Sequence, residues 1–319
     1  MTAAAAPTDV DRVLAGAVDL HRHGYPEITY EVRTRLEDVD DLTLCREAGF
    51  RGVVLKSHLW PTVGRAYHLR RAVPGLEVIP SITLNACVGG FSPLSVEAAA
   101  LQGAGVVYMP TWTAANDIER KGASAHIVEK ALPRAVRENF PALTVLGPDR
   151  RLLPEVVETL AVAEEYGMVV FSGHLSPAES LVLAESGLGA SGRFVFSHPD
   201  SGSIGATADD IEAIMATGAI LELCALGVQP GFQRISPAEM KGLADRYGAD
   251  RCVITSDAFF SWAPPSVETI RILAALLLDL GSTVEEVSQM VAGTPARLLA
   301  GLKAPADPLF EERDEEVTA

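Results

Sequence analysis

The chain has 319 residues, 48% of them apolar, and a formal net charge of −16. That length suits one large α/β domain with an ample core, and an acidic balance without any Lys/Arg-rich run argues against nucleic acid or an anionic membrane as partner. No basic-then-apolar leader opens the sequence, the apolar run ILAALLL (272–278) is too short to span a bilayer, and Cys45, Cys87, Cys224 and Cys252 lack pairing or C-x-x-C spacing, so the reading is a cytoplasmic protein with buried free thiols.

In chain order, short β-branched runs alternate with helical patterns. The predicted strands are AVDLHRH (17–23), GVVLKSH (52–58), EVIPSITL (77–84), GVVYMPTW (105–112), MVVFSGH (168–174), RFVFSHP (193–199), AILELCA (219–225) and CVITSDA (252–258). Several intervening helices close on glycine, as helix C-termini do. Eight strand–helix units with strands apolar on both faces predict α/β architecture, a (β/α)8 TIM-like barrel over residues 1–303. Residues 113–151, between the fourth strand and its helix, are too long for an ordinary connection and are expected to form a lid over the barrel mouth. The acidic stretch 304–319 reads as a loosely held tail.

A strand alternates its side chains, so Asp19, His21 and His23 are predicted to share a face, as are Lys56 and His58. The fifth, sixth and eighth strands end at His174, His198 and Asp257. Five of the seven histidines therefore fall at strand C-termini, the face on which such barrels place their active sites; any one alone would read as an ordinary core or surface histidine. His21 and His23 can share a metal ion, with Asp19 orienting an imidazole from behind. His68 reads as a solvated helix residue and His126 as a lid residue; neither is assigned to metal.

These residues resemble a family. His-x-His on strand one, His on strands five and six, and Asp on strand eight are similar to the pattern of the amidohydrolase superfamily of metal-dependent hydrolases, over nearly the whole chain. The segment TVEEVSQMVAGTPARLLAGL (283–302) resembles its closing helices. DLHRHGYPE and VVLKSHLWPT resemble a bacterial branch whose members mostly lack an assigned reaction. The resemblance implies metal ligation by His21, His23, Lys56, His174, His198 and Asp257. It departs at strand four, which offers Tyr108 and Trp112 where relatives carry a bridging lysine or glutamate; Lys56 on strand two takes that place. Three readings of Lys56 stand side by side: a carbamate bridging two cations, a protonated amine beside one metal that pairs with Asp19 or a substrate carboxylate, and a lysine snorkelling to the mouth.

Imidazole and carboxylate ligands suit Zn2+ foremost, with Mn2+, Fe2+ or Ni2+ compatible, as one ion or as two if Lys56 is carboxylated. Asp257 is expected to shuttle a proton from water to the leaving group, and His58 to donate to an oxyanion or bind the second metal. Trp60, Arg65, Tyr108 and Trp112 are candidate contacts for a small-molecule substrate, or packing under a lid. The leading activity is hydrolysis of a small or cyclic amide or of an ester such as a lactone, the alternative is non-oxidative decarboxylation within the same superfamily, and a third reading is a non-catalytic metal-binding barrel. A homo-oligomer is expected. GAGVVY (103–108) precedes a strand and reads as a helix-ending turn rather than a dinucleotide loop; Thr207 and Asp210 read as a helix cap whose free amides could alternatively hold an anion. No G-x-S-x-G elbow is present.

Overall fold

The computed structural model describes residues 6–122, 127–128, 132 and 141–303; His126 and the 304–319 tail lie outside them. Eight strands form one parallel sheet in sequence order: β1 Val18–His23, β2 Gly52–Lys56, β3 Glu77–Thr83, β4 Val106–Tyr108, β5 Val169–Phe171, β6 Phe194–Phe196, β7 Ile220–Cys224 and β8 Cys252–Thr255. The amide of Asp257 donates to the carbonyl of His21 at 2.8 Å and that of His23 to Ala258 at 3.3 Å, so the last strand's end closes onto the first.

Two apolar layers follow from strand alternation. Val18, Leu20, Val54, Tyr108, Phe171 and Val253 fill the barrel interior, with Leu298 of the final helix Thr294–Leu299 packed into the same cluster. Val53, Leu55, Val107, Val170, Leu221 and Ile254 face outward into the helical ring. The Thr207–Asp210 capping box is present, opening the helix Ala208–Ala216, and the turn at Gly103, with φ +90°, follows the helix Pro93–Leu101. The four cysteines are free; Cys45, Cys224 and Cys252 are buried and Cys87 half-buried. No helix among the described residues is long and apolar enough to cross a membrane.

The strands end earlier than the sequence suggests, and β1 departs from strict alternation. His174, His198 and Asp257 lie two or three residues beyond β5, β6 and β8, because the backbone turns left-handed at Gly173 (φ +59°), His198 (φ +21°) and Asp257 (φ +48°). A Cβ at position 173 would run into the Met109 carbonyl oxygen, so that turn needs glycine. In β1 the register runs Asp19↔Val53, then shifts to Arg22↔Leu55 and His23↔Lys56. The extra residue makes a bulge. Asp19 therefore shares the outward face with Val53, and the expectation that it stands behind an imidazole is corrected: its carboxylate accepts from Ser256 Oγ at 2.5 Å, Ser256 N at 3.1 Å and His21 N at 3.0 Å, bracing the β1–β8 seam. Arg22 also points outward, fully buried. It donates to Asp38 at 2.6 Å and Asp41 at 3.0 Å of the helix Asp38–Glu47, which ties the strand carrying His21 and His23 to the outer ring.

Of the 113–151 excursion, the described residues show a helix, Ala115–Arg120, and isolated bridges pairing Ala114 with Leu143 and Leu146 with Leu152.

Candidate metal centre

The bulge turns His21 and His23 into the barrel mouth, their rings 5.4 Å apart. Nε2 of each lies 3.2 Å from Asp257 Oδ1. His198 joins His21 and Asp257 in a group whose ligand atoms all fall within 4.8 Å of one another, and its ring packs edge-on at 5.2 Å from that of His174. His23, Lys56, His58, His174, His198 and Asp257 all line one cavity of about 40 Å³ at the C-terminal ends of the strands. The predicted ligand set thus converges from β1, β2 and the turns after β5, β6 and β8.

Behind these imidazoles stand carboxylates. His21 Nδ1 lies 2.7 Å from Glu222 Oε1 on β7. Glu27 Oε1 sits 3.1 Å from His23 Nδ1 and 2.6 Å from His58 Nδ1, and accepts the His58 amide at 2.5 Å, while the two rings stack at 4.5 Å. His174 Nδ1 faces Asp117 Oδ2 at 3.4 Å. A carboxylate on Nδ1 fixes the tautomer and aims the Nε2 lone pair away from itself, here toward the cavity. Sequence reading missed Glu27, Glu222 and Asp117. Only Glu222 carries a signal, as a lone charge in the otherwise apolar AILELCA.

The protonation states suit ligation. Burial pushes His58 and His198 down to about 3 and His21 well below its usual range, the last helped by Lys56, so all three are neutral near pH 7. Burial opposes the charge on Asp257, but His21 and His23 outweigh it and hold the carboxyl well below its ordinary value. Burial likewise works against Glu27, and the His23 and His58 hydrogen bonds overcome it. Glu222 is pushed up by burial.

Lys56 is buried with Nζ 2.8 Å from His21 Nε2 and 4.8 Å above the Tyr108 ring. Burial lowers its pKa, against the pull of Asp257 and Glu222, which moves it toward the neutral, nucleophilic amine. Its nitrogen competes for the same His21 lone pair that a metal would need.

Four expected substrate contacts are not brought to the cavity. Trp60 is 63% exposed. Arg65 donates to the Pro26 carbonyl at 2.7 Å and holds the loop after β1. Tyr108 is buried beneath Lys56, its hydroxyl on the Leu20 carbonyl at 2.5 Å; it floors the site. Trp112 is buried against Ile28, Val128 and Phe259, its indole donating to the His58 carbonyl at 3.2 Å. The cavity is walled instead by Ile28, Val128, Leu226, Phe259 and Phe260, with Ser201, Ser203 and Arg234 at its polar side.

Divalent cations fit this donor set. Neutral imidazoles backed by carboxylates, an ionised aspartate and a buried His198 Nδ1 without a hydrogen-bond partner among the described residues are what a borderline cation needs.

Comparison with known proteins agrees on the architecture. The model of the family described as "Family of unknown function (DUF6282)" matches residues 16–222, more than half of the chain. No curated protein matches the sequence. An amidohydrolase from Pseudomonas aeruginosa superposes with a TM-score of 0.59 at 12% identity, covering 92% of this chain and 99% of that one. An organophosphorus hydrolase from Deinococcus radiodurans gives 0.54 at 18% identity over 90% and 93%. A beta-aspartyl dipeptidase from Fervidobacterium islandicum gives 0.57 at 14% identity over 91% and 75%. At such identities the likeness is one of fold alone, a (β/α)8 barrel.

Proposed function

The chain belongs to the DUF6282 family of unknown function, and we propose that this member is a metal-dependent hydrolase cleaving a small or cyclic amide, or an ester such as a lactone. One observation carries the reading: the Nε2 atoms of His21 and His23 converge on Asp257 Oδ1 while their Nδ1 atoms are tied back to Glu222 and Glu27.

His21, His23, His174, His198 and Asp257 would hold the cation, zinc foremost, with Lys56 as a carbamate joining two such ions. A cation held there polarises a carbonyl and makes water acidic enough to attack near neutral pH. Addition of carbon dioxide to the neutral Lys56 amine, with loss of one proton to solvent, would form an N–C bond and replace the competing nitrogen donor with an anionic carbamate, leaving His21 Nε2 free for ligation. Asp257 Oδ1 faces the two imidazoles, and Oδ2 accepts from the Cys224 thiol at 3.8 Å; Asp257 is the proton acceptor, and hands the proton to the leaving group. His58 donates its Nδ1–H to Glu27 in a hydrogen bond, so its neutral ring offers Nε2 as an acceptor. That supports binding a second cation over donating to an oxyanion. The apolar walls admit a compact acyl group.

Metal analysis of the purified chain, paired with assays on amides and lactones, tests the proposal. Fewer than about half an equivalent of any transition metal, with no activity restored by added metal, would refute it, since open catalytic sites of this donor set hold their ion as part of the machinery. One equivalent and an unmodified Lys56 amine would direct the search to decarboxylation.

A further inference from the structure

Arg234 is not used by the chemistry above, yet it lies in the same cavity wall. It follows the 3-10 turn Ala225–Val228 after β7, and its amide bonds back to the Gly227 carbonyl at 2.9 Å. Asp200 Oδ2 approaches its Nε at 3.0 Å, and Ser201 Oγ its Nη1 at 3.4 Å. The guanidinium rests 4.8 Å from the Phe232 ring centroid. Its Nη2 is buried without a hydrogen-bond partner among the described residues, and only 16% of the side chain is exposed. A buried guanidinium edge left unsatisfied costs free energy unless something fills it.

We infer that Arg234, with the Ser201 hydroxyl, binds a carboxylate on the substrate, so that the substrate class is a small carboxylic acid with an apolar body reaching from Arg234 past Phe259 and Phe260 to the metal centre. This rests on the hydrolase reading and narrows it. Asp200 occupies one edge of the guanidinium and offsets part of its charge. What is left matches one monoanionic carboxylate presented to the planar fork, and is too little charge for a phosphate dianion. Burial raises Asp200 and the Arg234 charge opposes that, so the two form a pair that holds the fork in place. The reacting carbonyl would then lie on the far side of the apolar body from the carboxylate.

The test titrates phenylacetate and phenylacetone, which share a shape but not a charge, into the full chain by calorimetry, with metal content measured on the same sample. The wild-type chain is expected to prefer phenylacetate by about tenfold or more, the scale of one charge-assisted hydrogen bond. Arg234→Gln should erase that preference and leave phenylacetone binding unchanged, and Arg234→Lys should retain part of it. No preference in the wild-type chain, which needs no variant to fold, overturns the inference; so does a preference that survives Arg234→Gln, which would place the carboxylate on the metal centre or Lys56. A sample poor in metal that still shows the Arg234-dependent preference keeps the inference and removes the hydrolase reading.

Discussion

The two sides of the mouth are built differently. On the β1–β2 side, His23 and His58 stack on each other and share one Glu27 oxygen, and Arg22 anchors the strand beneath them. On the β5–β6 side, His198 Nδ1 and both Asp117 oxygens are buried without a hydrogen-bond partner among the described residues, although Asp117 Oδ2 faces His174 Nδ1 at 3.4 Å. The first side is braced by hydrogen bonds before any cation arrives, although Glu27 Oε2 is buried there without a hydrogen-bond partner among the described residues. The second is poised to be completed by one, because orphaned buried donors and acceptors gain most from a new partner.

Five substitutions break or sharpen this contrast. Asp257 belongs to both sides, so Asp257→Asn, compared at saturating metal, should cut kcat by roughly a hundred- to ten-thousandfold, the usual span for a lost proton-transfer group; unchanged kcat would separate the seam from the chemistry. Arg22→Ala should destabilise the first side by about 3–5 kcal/mol, because it strands two buried aspartates, and urea unfolding measures it. Glu27→Gln and Asp117→Asn compare the sides directly. Loss of an outer partner costs about 10–100-fold in metal affinity, and Glu27, which serves two imidazoles, should lie at the upper end under competitive chelation. An Asp117 effect as large as that of Glu27 would erase the asymmetry. Trp60→Ala, at an exposed position, should move stability by no more than about 0.5 kcal/mol and leave KM unchanged.

The eight strands were legible because barrel strands, apolar on both faces, stand out against their amphipathic helices. The convergence of His21, His23, Lys56, His174, His198 and Asp257 was legible from their places near strand ends. Asp19 was misread, since an inserted residue in β1 leaves no mark in a two-residue alternation; Leu20 takes the inward face instead. Strand ends were drawn too long because His198 and Asp257 adopt positive φ, which non-glycine residues seldom advertise. Glu27 reaches its two imidazoles from a loop, where spacing predicts nothing. Tyr108 and Trp112 look like contacts in sequence and are packing in space, their polar tips spent on backbone carbonyls.

The closure of β8 onto β1 also governs when the protein becomes competent during its own synthesis. Asp257 can join the ladder only after every histidine of the centre has been made, and its amide bonds to the His21 carbonyl. A nascent or clipped chain that stops before β8 would carry every histidine of the centre and still lack both the closing strand and the proposed acid–base group.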